Sequence, residues 1–242
     1  MNNEKIPYPP EATGEEQAIE FLMLLAKGAT IPVPIASFVV DIIDRLYKRP
    51  IETRRIQWME QVTEAINTLV SQQQGLTPSK LAENEEFVTI LHRASELAVK
   101  THQEQKRTLL KNAIISAGSP TAPNLDKQIF FLRTIDELTV NQVIVLSFYD
   151  DPRNWFESRH ITRPEYFSAP RSAILEHAYP RIANDPFFNE LVVTELDRRS
   201  LVSDIKGVAL HDTIYGSITT KLGKEFLDYV KAETIKEDDA AA

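Results

Sequence analysis

The stretch FFNELVVTELDRRSLV at residues 187–202 is the strongest single indicator of structure in this 242-residue chain. Its apolar residues recur at helical spacing, which predicts a helix over 186–199 with one apolar side. The predicted apolar side consists of Phe187, Leu191, Val192 and Leu196. Such a side has to be buried against other elements, so this helix is expected to organise the C-terminal half of the chain.

The residues after this helix change from helical spacing to alternation. Residues 201–206 and 213–219 alternate enough to predict two strands around Gly207. The run KLGKEFLDYVK at 221–231 returns to a helical period and predicts a closing helix. The expected order here is therefore helix, β-hairpin, helix.

The residues before the helix predict three more helices, at 125–135, 140–149 and 171–178. The second follows a Thr-x-x-Gln spacing, which is typical of a capping box. Residues 150–170 contain three prolines and are expected to form a loop.

The N-terminal half has its own helical periodicity. A helix over 51–74 is predicted from apolar residues spaced three, four and three apart: Met59, Val62, Ile66 and Leu69. Thr77 and Pro78 begin a short helical turn, and Asn84 is a suitable cap for a long helix over 85–117. The apolar stripe fades over 101–108, where the helix is either exposed all round or bent.

These segments predict a mainly α protein of two domains. The clearest linker is GSPTAPN at 118–124, which is rich in turn-forming residues. The predicted divisions are a loose tail at 1–12, a helical domain at 13–117, the linker at 118–124, a second domain at 125–231 and an acidic tail at 232–242.

Composition excludes several classes of protein. Hydrophobic residues make up 43% and charged residues 26%, as in globular proteins. The chain has no cysteine, which excludes disulfides, thiol nucleophiles and zinc sites built on sulfur. A net charge of −8 argues against generic nucleic-acid binding, because phosphate contacts require local positive charge.

No recognisable catalytic, metal or cofactor pattern is present. The five histidines include no pair spaced for a shared metal-binding helix face, and the nucleotide-binding and hydrolase glycine motifs are missing. His92 and Glu96 lie one turn apart and are expected to form a surface pair. The polar run 150–154 suits ordinary turn chemistry better than acid–base catalysis. The sequence therefore predicts a protein that is not an enzyme and has no cofactor.

A second candidate feature is an aromatic group in the predicted loop, consisting of Trp155, Phe156, Tyr166 and Phe167. Aromatic side chains in a long loop either pin the loop to the core or anchor a partner. The first interpretation is the expected one.

The most apolar segment, at 18–47, is predicted to form a helical hairpin. Its run ATIPVPIASFVVDII is too short for a membrane span, which needs about 20 apolar residues. We expect a core hairpin in a cytoplasmic protein, while the adjacent basic residues favour peripheral contact with the inner membrane as the alternative. The candidate interaction residues are Ile35, Phe38, Val39, Ile42, Arg45 and Arg49.

The C-terminal pattern resembles a degenerate winged-helix domain. The likeness is carried by LTVNQVIVLSFYDDP (138–152), FFNELVVTELDRRSLV (187–202) and ITTKLGKEFLDYV (218–230). It implies an α+β domain with a small β-hairpin. In a DNA-binding version, the helix at 187–199 would read DNA. Its candidate contacts would be Asn189, Thr194, Arg198 and Arg199. Three carboxylates on the same helix oppose association with phosphates, so protein contact is the expected role.

The segment LLAKGATIPVPIASFVVDIIDRLYKRPIETRRIQWMEQVTEAI (24–66) resembles bacterial proteins of the abortive-infection alpha type. That resemblance implies a phage-defence protein and no catalytic residue. The expected function is therefore non-enzymatic defence through contact with a protein, a second copy or a membrane. The alternative is a winged-helix transcriptional regulator.

Overall fold

The mainly α fold is confirmed by a computed structural model, which describes residues 52–183, 186–203 and 208–231. These residues form eleven α-helices, a 3₁₀ helix and a two-stranded antiparallel sheet. The predictions for the tails and for the hairpin at 18–47 lie outside the described residues. So do the candidate interaction residues Ile35, Phe38, Val39, Ile42, Arg45 and Arg49.

The contacts divide the chain into two compact units, with the division between Glu137 and Leu138. The helices of the first unit are α1 (Glu52–Gln72), α2 (Pro78–Glu83), α3 (Glu85–Lys100), α4 (Glu104–Ala117) and α5 (Leu125–Glu137). The helices of the second are α6 (Val140–Asp150), α7 (Pro152–Ser158), α8 (Ser172–Ala178), α9 (Pro180–Ala183), α10 (Pro186–Arg198) and α11 (Lys221–Val230). The second unit also holds β1 (Ser168–Pro170), β2 (Val208–Leu210) and the 3₁₀ helix His211–Tyr215.

The first unit is a small bundle in which α4 contacts α1, α3 and α5. The predicted stripe of α1 is buried, and Gly75 follows the helix with a φ of 80°, a conformation that glycine adopts at low cost. Asn84 caps α3 as expected, because its Oδ1 accepts hydrogen bonds from the amides of Glu86 and Phe87, both at 3.1 Å.

The prediction of one long helix over 85–117 is wrong. The chain forms α3 and α4 with a break at 101–103, where Thr101 adopts an extended conformation and its Oγ1 accepts a hydrogen bond from the Gln103 amide at 3.2 Å. The polar run offers no apolar side that would favour continuing the helix. Ending it lets α4 turn back and pack its own apolar stripe against α3.

The division between the units differs from the predicted linker at 118–124. That segment is irregular as expected, but it is packed against α1: the Gln73 side-chain amide donates to the Gly118 carbonyl oxygen at 2.9 Å. Gly118 lies so close to Leu69 that a Cβ would come within 2.5 Å of its Cδ1. Because α5 then contacts α3 and α4, it belongs to the first unit rather than the second.

In the second unit, α6 contacts α7, α10 and α11. The predicted capping box is present: Thr139 accepts from the Gln142 amide, and the Gln142 side chain accepts from the Thr139 amide. The prediction that 150–170 is all loop is wrong, because α7 lies within it. Asp151 caps this helix by accepting from the Asn154 amide at 3.0 Å, and Pro152 occupies the first turn.

The strand prediction is confirmed only in part. β1 pairs with β2, whereas 201–206 and 213–219 share a single bridge between Val202 and Thr219 within the described residues. Thr213 explains part of the difference: its Oγ1 bonds to both the amide and the carbonyl of Leu210. That closes a turn and starts the 3₁₀ helix where a strand was expected.

Candidate interaction surface

Helix α10 presents one side to the core of the second unit and the other to solvent. Val192, Val193 and Leu196 are buried, and α10 contacts α6 and α9. The exposed side chains, which we call the α10 face, are Glu190, Leu191, Thr194, Asp197 and Arg198. The face therefore combines one large apolar group with two carboxylates and one arginine.

Leu191 is the unexpected member of this face. The sequence predicted it on the apolar side of the helix, but its exposed fraction is 64%. At 3.6 residues per turn, successive side chains point about 100° apart, so the buried trio of Val192, Val193 and Leu196 leaves Leu191 directed away from the core. Leu191 is thus the one large apolar side chain of the α10 face, and it lies at the edge of that face.

Both arginines at the end of α10 are engaged by Glu195. Arg198 donates through Nε to Oε2 at 3.1 Å and through Nη2 to Oε1 at 3.0 Å. Arg199 donates through Nε to Oε1 at 2.7 Å. The hydrogen bonds from Arg198, and then those from Arg199, hold the pKa of Glu195 below its ordinary value. Glu195 thus remains ionised and offsets part of the positive charge that a DNA contact would need.

The structure brings together only part of the candidate DNA-binding set. Thr194 and Arg198 lie on the exposed side, while the side chain of Arg199 is only 15% exposed. The side chain of Asn189 lies outside the described residues. Exposed Glu190 and Asp197 flank Thr194, so the face offers phosphates more repulsion than attraction.

The end of α10 is fixed by contacts with the start of α11. Ser200 has a φ of 57° and ends the helix, and the Leu201 amide then donates to the Leu196 carbonyl at 3.0 Å. The Thr220 hydroxyl donates to the Ser200 carbonyl at 2.6 Å. Gly223 fits directly against the Leu201 carbonyl oxygen. The α10 face is therefore carried by a well-anchored helix.

A buried arginine that the sequence did not single out fixes the 3₁₀ helix. Arg171 Nη1 donates to the carbonyl oxygens of Thr213, Ile214 and Gly216 at 3.2, 3.1 and 3.3 Å. The Tyr149 hydroxyl donates to the Arg171 carbonyl at 3.2 Å, and burial raises the pKa of that hydroxyl. Nothing in the local sequence distinguishes Arg171 from a surface arginine, since its acceptors lie more than 40 residues away.

The four aromatic residues of the predicted loop do not share one role: three pack on the core and one is exposed. Trp155 and Phe156 are buried, and Tyr166 donates its hydroxyl to the Ala173 carbonyl at 3.3 Å, so these three pin the segment to the core. Trp155 Nε1 also donates to the Tyr179 hydroxyl at 2.6 Å. Phe167 is instead 90% exposed and is available to a partner.

The polar clusters singled out in the sequence form a surface pair and a helix cap. No three histidine or carboxylate side chains in that part come together as metal ligands. His92 and Glu96 form the predicted surface pair at 3.9 Å. In the run 150–154, Asp151 caps α7, and Asp150 lies 3.8 Å from the Lys224 Nζ. None of the described helices is both long and apolar enough to cross a membrane.

The chain matches no protein-family model, no curated protein and no solved structure. Its function therefore has to be inferred from its own residues, among which the α10 face is the best-defined candidate surface.

Proposed function

We propose that this chain is a non-enzymatic bacterial phage-defence protein that acts by contacting a protein partner through the α10 face. The observation that carries the contact is Leu191, which is 64% exposed on a helix whose end is anchored on α11. The defence role rests on the likeness of residues 24–66 to abortive-infection alpha proteins.

The proposed architecture of the second unit is a winged-helix variant. In this interpretation α6, α8 and α10 are the three helices, and the Val202–Thr219 bridge is the base of the wing before α11. The element order supports the interpretation, and the charge of α10 supports a protein-binding rather than a DNA-binding version of it. The winged-helix regulator is the alternative function.

Binding to duplex DNA at two salt concentrations tests that alternative. Because Glu195 engages Arg198 and Arg199, and the chain carries a net charge of −8, we expect no specific binding. Sub-micromolar affinity with a steep salt dependence, weakened in Arg198→Ala, would instead establish the regulator.

The defence role is tested by phage challenge of cells that express the wild type or Leu191→Asp. The variant adds a third carboxylate to the exposed α10 face and removes its apolar group, so we expect protection to be lost while the thermal midpoint stays unchanged. Gln74→Asp is the matched control, because it adds the same charge at an exposed position of the first unit. Full protection by Leu191→Asp would rule out this face, and wild-type cells as sensitive as cells without the protein would rule out the defence role.

A cytoplasmic location remains the proposal, with the apolar segment 18–47 as a core hairpin and peripheral contact at the inner membrane as the alternative. Phe38→Asp separates its two interpretations. A core phenylalanine replaced by a carboxylate leaves an unpaired buried charge, and the protein should lose stability. A lipid-facing one should leave the thermal midpoint unchanged while vesicle binding is lost.

A further inference from the structure

The contact between α1 and α4 in the first unit begins at a buried arginine that is poorly paired. Arg107 on α4 is only 6% exposed. Its guanidinium makes one hydrogen bond to a described residue, from Nη2 to the Oε1 of Gln57 on α1 at 3.3 Å. Gln57 is neutral and exposed, and no carboxylate among the described residues pairs with Arg107. A buried charge with so few partners weakens the contact that contains it.

Two more unpaired polar atoms belong to the same part of α1. Trp58 Nε1 and Gln61 Oε1 are buried without a hydrogen-bond partner among the described residues, and so is Arg107 Nε. Trp58 and Gln61 lie next to Gln57 on the helix, one position and one turn further along. Half of the six unpaired buried side-chain atoms found in the described residues are therefore concentrated around positions 57–61.

The second half of α1, residues 63–72, is held differently. Glu64 Oε2 lies 3.2 Å from the Nζ of Lys111, one turn after Arg107 on α4. Leu69 is 1% exposed and packs closely on Gly118 at the end of α4. Among the described residues, this half of α1 contributes no buried side-chain atom that lacks a partner. The two halves of one helix thus differ in how well their buried polar groups are satisfied.

Local opening would relieve the first half of α1, residues 52–62, and not the second. A buried polar group without a partner has lost its hydrogen bonds to water, and opening restores them. Opening also exposes the buried side chains of Trp58, Met59 and Val62, which is the opposing cost. The first half is therefore held mainly by apolar burial, whereas the second half adds paired polar contacts to it.

We propose that the first half of α1 opens from α4 as a local unit while the second half stays packed. Such openings have free energies well below that of global unfolding, because they disrupt only part of the structure. The open state makes Trp58 accessible, so the bundle carries an aromatic contact group that its closed state hides. This inference concerns the first unit alone and is independent of the proposed function.

Hydrogen exchange of the full wild-type chain, resolved by NMR for each amide, tests the proposal. After correction for intrinsic rates, we expect the amides of residues 57–62 to exchange roughly tenfold faster than those of residues 66–71. Equal protection of the two sets would overturn the proposal. Exchange of the whole helix in a single step would also overturn it, because the halves would then open together.

The variant Arg107→Met separates this opening from ordinary fraying at a helix end. It removes the poorly paired charge, and the exposed Gln57 side chain is left to bond with water. We therefore expect exchange at residues 57–62 to slow by about threefold or more, with residues 66–71 unchanged. Fraying does not depend on this charge, so unchanged exchange at residues 57–62 would overturn the proposal.

Two further variants sharpen the measurement. Gln61→Met removes the unpaired acceptor at similar volume and should slow exchange at residues 57–62 as well. Lys111→Met is the matched control, since it also replaces a basic residue of α4 by methionine but breaks the pair with Glu64. It should not slow exchange at residues 57–62. Equal slowing by Lys111→Met and Arg107→Met would overturn the proposal, because the unpaired groups would then not be the cause.

Discussion

The two units each contain a buried arginine and a tightly packed glycine, but these residues meet different kinds of neighbour. In the first unit, Arg107 Nη2 donates to the Gln57 side chain at 3.3 Å, and Gly118 packs against the Leu69 side chain. In the second, Arg171 donates to three backbone carbonyls and Gly223 packs against a fourth, that of Leu201. Side chains can change rotamer, whereas a carbonyl moves only with its backbone. Substitution of Arg171 or Gly223 should therefore lower the free energy of unfolding more than substitution of Arg107 or Gly118.

The glycine pair gives the largest expected contrast. A Cβ at position 223 would overlap the Leu201 carbonyl oxygen, so Gly223→Ala should lower the free energy of unfolding by about 3 kcal/mol through overpacking. Gly118→Ala meets the terminal methyl of Leu69 and should cost about 1 kcal/mol. Urea denaturation of the two variants measures both values. Equal costs would show that the backbone at 201 yields as readily as a side chain.

Arg171 and Arg107 test the same difference between backbone and side-chain neighbours, here through hydrogen bonds. Arg171→Met removes the donor for three carbonyls of the 3₁₀ helix and should cost about 2–3 kcal/mol, since buried acceptors are left unsatisfied.

Arg107→Met should change stability by less than about 1 kcal/mol, because replacing a poorly paired buried charge by an apolar side chain is often neutral or stabilising. Nε has no acceptor among the described residues in either arginine, but Arg107 donates to one side chain whereas Arg171 donates to three carbonyls. Gln61 Oε1 on α1 is also buried without a donor among the described residues. A loss as large as that of Arg171→Met would show that the α1–α4 contact depends on this charge.

Asp150 provides a smaller, pH-dependent effect in the second unit. Burial raises the pKa of this carboxyl above its ordinary value, even though Lys224 lowers it, while Asp228 and Asp151 raise it further. A raised folded-state pKa means that the folded protein binds more protons, so stability falls as pH rises through that pKa. Asp150→Asn should therefore be more stable than the wild type at neutral pH, and the gain should vanish at acidic pH. Thermal midpoints measured across that range check it, and a gain that persists in acid would exclude titration as the cause.

The smallest effects are expected at the two exposed apolar groups. Phe167→Ser and Leu191→Ser should each shift the free energy of unfolding by less than about 0.5 kcal/mol, because neither side chain is buried in the fold. Urea denaturation of the two variants and the wild type measures these shifts. A larger loss in either variant would mean that the side chain packs on its own chain in solution.

The helices were largely predictable because their signals are local. The caps at Asn84 and Thr139 and the short helix after Thr77 each depend on hydrogen bonds that span only a few residues. The errors arose where residues distant in sequence decide the outcome. The break at 101–103 depends on α4 packing back on α3, and the β1–β2 pair joins residues about 40 positions apart.

By itself the sequence determined the helical class, most helix ends and the acidic balance, because periodicity, capping and charge are properties of short segments. Only the tertiary structure decided that Leu191 and Phe167 face solvent, that Arg198 and Arg199 share Glu195, and that Arg171 is buried. Burial is the reason: an apolar stripe tells which residues favour a core, but the neighbours that pack against it determine which of them reach one.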